Sequence, residues 1–297
     1  MCYCESCPPD KRMRFTRFTL TFLLALLLGL GIGPIKSRAA ESPANPSAKD
    51  ATTNSPLQRI VLVGASVTAG FTESEPLGGP LSDQLRLGRY VEAALVSPHQ
   101  PVQSFGLLVF FLRPELAGQA QLDRALREEP TLLIGIDFLF WYCYGELPTE
   151  EARLQRLEVG LRLLETVKCP LILGDFPDAS AAVGHMISRA QMPQLATLEA
   201  ANRRLKEWVS TRANVRLVPL ADFMRAAQAA EPLVIHGMTL PKETTRGLLQ
   251  ADHLHATREG CAVLALAIMD VIAAHPVLAS ADYFRWDAKE VLRIAAP

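Results

Sequence analysis

The chain has 297 residues, 49% of them hydrophobic and 21% charged, which suits one sizeable core with room for a small appendage and excludes a disordered or fibrous chain. Its formal net charge is -1; six of the 30 Lys/Arg and two of the 31 Asp/Glu lie within residues 1–40, so the remainder carries about -5, which argues against nucleic acid as a partner. Cys2, Cys4 and Cys7 cluster ahead of the first apolar run, and only Cys143, Cys169 and Cys261 follow it, an odd number that predicts neither a disulfide framework nor a zinc site.

Lys11, Arg12, Arg14 and Arg17 precede the apolar run Phe18–Ile32, the pattern of a secretory signal, and Ser37 and Ala39 fit the small positions before a cut after Ala39. The run also reaches about the lower length for spanning a bilayer, so an uncleaved anchor is the alternative. Residues 1–40 are therefore expected to be a signal peptide or N-terminal anchor. A secreted, periplasmic or otherwise extracytoplasmic protein follows, membrane-tethered if the segment is retained. Residues 41–58 are rich in Pro, Ser, Ala, Asn and Thr without an apolar period, which predicts a flexible linker before a domain at 59–297.

Arg59–Val63 is short, apolar and β-branched, and Gly64 bounds it; such runs form buried parallel strands. Similar runs lie at Val102–Leu108, Thr131–Ile136, Pro170–Leu173 and Val215–Val218. Helical spacing falls between them, at Leu81–Leu95, Leu122–Leu126, Leu154–Val167 and Leu195–Val209. A last helix over Cys261–Ile272 opens near Thr257, a candidate cap. This alternation predicts a three-layer α/β/α fold around a flavodoxin-like open sheet of about five parallel strands, with the tail from His275 packing back on the sheet.

Ligands in such a fold sit at the carboxyl ends of the strands. Ser66 follows the first strand, Gly106 lies in or after the second, Asp137 follows the third and Asp175 the fourth. Asp252 and His255 precede the last helix, where a loop can return to the same edge. In Gly64-Ala65-Ser66 the small neighbours let the backbone bend sharply and present the hydroxyl beside free amides, although a Ser there also serves as a turn residue or helix cap. Asp252 and His255, three apart, allow a carboxylate to hold one imidazole nitrogen while the other faces a serine. The plain alternative is a polar surface loop, and His253 competes as the base.

Together the two end segments resemble the SGNH hydrolases, the GDSL-like esterases and lipases. Gly64-Ala65-Ser66-Val67-Thr68-Ala69-Gly70 is similar to their first block, and Asp252-His253-Leu254-His255-Ala256-Thr257-Arg258-Glu259-Gly260 to their last. The resemblance spans about residues 59–274 in order and spacing of elements, with specificity in the end blocks. It implies that Ser66 attacks an ester carbonyl, that His255 is general base and then acid, and that Asp252 orients the imidazole. It further implies a glycine after the second strand and a Gly-x-Asn after the third, both feeding the oxyanion hole. Gly106 is the candidate for the first, whereas the second reads Gly135-Ile136-Asp137, with aspartate at the asparagine position.

An ionised carboxylate accepts hydrogen bonds and repels a developing oxyanion, so three arrangements are open for Asp137. It is protonated and still donates; or it turns away to bind substrate hydroxyls, leaving the Ser66 and Gly106 amides as the hole; or ordinary esterase activity has been lost. The second is adopted here as the expectation. The aromatic run Phe138–Tyr144 either lines a pocket or packs under a loop. Asp175 either joins Asp137 in an acidic site for a cation or polyol or forms a turn; with no third ligand, no metal is expected, and no cofactor. His185, Asn202 and His236 are read as structural or solvent-facing.

The function expected is a serine ester hydrolase acting on a small-molecule or polymer-borne extracytoplasmic ester, an acyl or acetyl group on carbohydrate, lipid or small molecule, through an acyl-enzyme. The alternative is a catalytically weakened relative that binds carbohydrate or a partner. A nucleotide-binding or redox domain of the same architecture would need a phosphate-binding pattern, and Gly64–Gly70 contains neither GxGxxG nor a P-loop lysine.

Overall fold

The computed structural model describes residues 55–275 and 277–296. The expectations for residues 1–40, for Cys2, Cys4 and Cys7 and for most of the linker lie outside them. The folded body starts slightly before Arg59, since Leu57 is fully buried and the Gln58 carbonyl accepts the Gln100 N–H.

Strand β1 (Ile60–Leu62) leads into α1 (Ser66–Ala69), α2 (Pro80–Gln84) and α3 (Leu87–Ala94). Next come β2 (Gln103–Ser104), α4 (Pro114–Arg127), β3 (Leu132–Gly135), α5 (Phe140–Cys143) and α6 (Glu150–Leu164). The chain continues through β4 (Leu171–Gly174), α7 (Leu195–Ser210), β5 (Val215–Val218) and α8 (Leu220–Ala229). It ends with β6 (Leu233–Ile235), β7 (Met238–Leu240), α9 (Lys242–Thr245), α10 (Arg258–Ala273) and α11 (Ala288–Ala295).

The five predicted strands form one parallel sheet in the order β2-β1-β3-β4-β5. Side chains alternate across a strand, so both faces need apolar cover. Ile60, Leu62, Leu132, Ile134 and Ile172 share a core with α3, α8, α10 and α11. Val61, Val63, Leu133, Leu171 and Leu173 share the other with residues of α4 to α7. The three-layer α/β/α architecture is thus the one predicted.

Three details differ. β2 has only two residues where seven were expected: Phe105 and Leu107 still donate to the carbonyls of Leu62 and Gly64, but Phe110–Leu112 winds into a 3-10 turn. β6 and β7 form an unexpected antiparallel hairpin, turning at His236 and Gly237 with φ of 50° and 72°, the left-handed pair such two-residue turns require. The tail packs α11 against α3 and α10 rather than against the sheet, burying Val291 and Ala295.

Among the described residues no helix is long and apolar enough to cross a membrane.

Candidate active site

β1 delivers the chain to a tight turn at Gly64-Ala65, from which α1 begins with Ser66. Gln121, buried on α4, clamps this turn from below: its Oε1 accepts the Gly64 N–H at 3.0 Å and its Nε2 donates to the Gly64 carbonyl at 2.8 Å. Asp137, just past β3, holds it from the side. Its Oδ2 accepts the N–H groups of Val67 (2.8 Å) and Thr68 (3.3 Å), and its Oδ1 accepts the Thr68 hydroxyl at 2.6 Å. A Cβ at position 64 would stand 2.0 Å from Asp137 Oδ1, so only glycine permits this approach.

The second half of the site is the loop between α9 and α10. Asp252 Oδ1 accepts the N–H groups of Leu254 and His255, both at 2.9 Å, closing a turn in which His253 takes a left-handed φ of 59°. Gln250 ties the loop to the serine side, donating from Nε2 to the carbonyls of Phe71 and Ala256, both at 2.8 Å. Thr257 caps α10 by accepting the Gly260 N–H at 3.1 Å, as its position predicts.

The two halves meet in series. His255 Nδ1 lies 2.6 Å from Asp252 Oδ2, and His255 Nε2 lies 2.8 Å from Ser66 Oγ. With Nδ1 donating to the carboxylate, Nε2 is left to accept the serine proton. Asp252 and His255 are buried while Ser66 is half-exposed, so the series ends in a reachable hydroxyl. Burial opposes the charge of Asp252, yet the hydrogen bond and charge of His255, with the backbone N–H groups of residues 255 and 254, hold its carboxyl below the ordinary value. Phe71 stacks on the imidazole, ring centroids 4.1 Å apart at 29°.

Ser66 sits where two apolar cavities adjoin. One, of about 380 Å³, is a cleft bordered by His255, Phe71, Leu77, Leu108, Phe111 and Met186, with Glu73 and Gln191 as polar members. The other is a slot of about 40 Å³ bordered by Val67, Phe140, Leu220, Phe223, Met224 and Leu264, with Asp137 as its charged member. Trp141 and Leu254 wall both.

The structure therefore brings Ser66, Asp252 and His255 together, with His253 outside on the exposed side of the loop. Asp137 borders the slot beside Ser66, and its oxygens accept from Val67 and Thr68 rather than pointing free of the turn. Gly106 borders neither cavity at Ser66; it lies against α1, where a Cβ would come 2.4 Å from the Ala69 nitrogen. Its glycine is thus accounted for by packing.

Asp175 accepts the Ala221 N–H at 2.7 Å at the start of α8, so it shares no acidic site with Asp137. Among the described residues no cluster of three metal-ligating side chains occurs. The aromatic run divides: Phe138, Tyr142 and Tyr144 are core, whereas Phe140 and Trp141 face the slot. Asn202 pairs with the backbone of Phe176 on both its polar atoms, a structural role.

Phe71, Gln121 and Gln250 were not legible as site residues. Phe71 directly follows the Gly64–Gly70 block and is the one that proximity might have flagged; Gln121 reaches Gly64 across 57 positions, with no local signal.

No protein-family model and no curated protein matches the chain. Among solved structures it is similar to a lipase/acylhydrolase from Enterococcus faecalis, at 22% identity and TM-score 0.47 over 71% of this chain and 93% of that one. It is also similar to a gut microbial diltiazem-metabolizing enzyme, at 13% identity and TM-score 0.47, over 72% of this chain and 46% of that one. At such values neither likeness assigns a function, and the chemistry rests on this chain's own residues.

Proposed function

We propose that the protein is a serine ester hydrolase of SGNH type that works through an acyl-enzyme without a cofactor. The observation that carries this reading is the unbroken series Asp252–His255–Ser66 ending where two apolar cavities adjoin.

In the first half-reaction the Ser66 oxygen bonds to the ester carbonyl carbon while its proton passes to His255 Nε2. The tetrahedral intermediate collapses, the bond to the alkoxy oxygen breaks, and His255 returns the proton to the leaving alcohol. Water then attacks the acyl-serine, giving a proton to His255; the carboxylic acid departs and Ser66 regains its hydrogen. Asp252 holds the imidazole in the tautomer this needs and stabilises the imidazolium. The Ser66 N–H is the donor this reading assigns to the oxyanion; Asp137, whose oxygens accept from Val67 and Thr68, is not counted as one.

The rival reading, a non-hydrolytic binder of carbohydrate or a partner, depended on an acidic rim. Asp137 and Asp175 both accept from backbone N–H groups, which weighs against it. The leader-like segment at residues 1–40 supports action outside the cytoplasm, with a membrane tether if it is retained.

The test is hydrolysis of a short-chain aryl ester by the domain. Turnover that Ser66→Ala and His255→Ala each lower by on the order of 10⁴-fold supports the reading. A folded wild type without turnover contradicts it.

A further inference from the structure

Ser66 faces two chambers of different size, and only one of them is bordered by His255. On the acyl-enzyme reading, which this inference rests on, the leaving alcohol must take its proton from His255 Nε2. Its oxygen therefore lies on the histidine side, and the alcohol extends into the cleft of about 380 Å³. The acyl group, on the opposite side of the same carbonyl carbon, points into the slot beside Val67.

The slot is lined mainly by aliphatic and aromatic side chains, with Met224 and Leu220 buried in its wall and Asp137 beside Ser66 as its charged member. The slot, at about 40 Å³, is roughly a tenth the size of the cleft at about 380 Å³, so the smaller part of the ester fits on its side. The cleft lies within the size range of small-molecule sites, and its apolar lining continues onto the surface. Leu77 on one lip is 82% exposed, and Phe111 on the other adjoins Leu112, which is 66% exposed.

We infer that the substrate is an ester of a short acyl group with a bulkier apolar or aromatic alcohol: the slot receives the acid and the cleft holds the alcohol.

The experiment is a two-dimensional substrate series. Acetyl, butyryl, hexanoyl and octanoyl esters of one naphthyl alcohol are compared, then acetyl esters of ethanol, a phenol and a naphthol, alongside fluorophosphonate labelling of Ser66. Expected is a fall in kcat/KM of at least tenfold between butyryl and octanoyl, and a KM that falls as the alcohol grows. Met224→Ala, which lengthens the slot, should move the fall to longer acyl chains. Leu77→Asp, at an exposed position that folding tolerates, should raise KM several-fold for the naphthyl ester and little for the ethyl ester.

Octanoyl esters turned over as fast as butyryl, with Ser66 labelled, overturn this division while leaving the esterase reading intact. The same holds for a KM indifferent to the alcohol. Absence of both label and turnover in folded wild type overturns the inference and the reading beneath it. The wild-type profile decides even if Met224→Ala fails to fold.

Discussion

The Asp137 carboxylate accepts the backbone N–H of Val67 at 2.8 Å, so the residue after the candidate nucleophile is held by a side chain 70 positions away. The contact fixes the turn that presents Ser66, and Gly64 exists to let it form. It also changes the meaning of an aspartate where the resemblance implies an oxyanion donor. At this position the side chain stabilises the nucleophile's backbone.

Substitution at Asp137 separates these roles. Asp137→Ala leaves the N–H groups of Val67 and Thr68 without an acceptor, at about 1–3 kcal/mol for each group that stays buried and unpaired, and should lower both thermal stability and Ser66 reactivity. Asp137→Asn keeps an oxygen for those N–H groups, and the Thr68 hydroxyl can turn to the Val63 carbonyl, 3.5 Å away. Ester turnover in that variant should stay within about tenfold of wild type, less than loss of an oxyanion donor costs. A collapse of turnover with an intact fold would assign the charge itself an essential part.

The same residue predicts a pH dependence of stability. Burial raises the Asp137 carboxyl above its ordinary value, against hydrogen bonds from Thr68, Val67 and Ala65. A carboxyl of higher value in the folded chain binds its proton more tightly there. Its contribution to stability is full below the unfolded value of about 4 and is lost as pH rises through the folded value. Urea unfolding across this range should show wild type losing stability relative to Asp137→Asn as pH rises. Parallel curves would contradict the assignment.

Asp252 has the opposite sign. Its carboxyl lies below the ordinary range, so its contribution is present above about pH 4 and lost as pH falls through the lowered value. Asp252→Asn should cost on the order of 10⁴-fold in kcat with the fold retained, because the amide favours the wrong imidazole tautomer. Its stability deficit against wild type should narrow in acid, read from denaturant midpoints at pH 7 and pH 3. A variant within tenfold of wild-type kcat would remove Asp252 from the series.

Phe71 stacks on the imidazole of His255 and borders the cleft beside it. Stacking of this kind is worth about 0.5–1.5 kcal/mol, so Phe71→Ala should lower kcat/KM about two- to tenfold, while Phe71→Leu, which keeps bulk without the ring face, recovers part of it. Equal activity of all three forms would show the contact to be incidental.

What the sequence made legible was what is local in the chain. The strand runs and Ser66, Asp252 and His255 all sit in short segments whose spacing carries their chemistry. Asp137 was visible as a strand-end residue, but its direction was not, because that depends on Val67 and Thr68 meeting it across the β1–β3 pairing. Gln121 lies inside an ordinary helix and becomes a clamp only when α4 packs under the turn. The β6–β7 hairpin escaped for another reason: three-residue strands, half exposed, are too short to display a period.

The most direct measurement is intact-mass and peptide mapping of the domain after reaction with a fluorophosphonate. A single adduct on Ser66, lost in Ser66→Ala and strongly slowed in His255→Ala, is the predicted result. A folded wild type that stays unlabelled, or carries its adduct on another residue, would contradict the account.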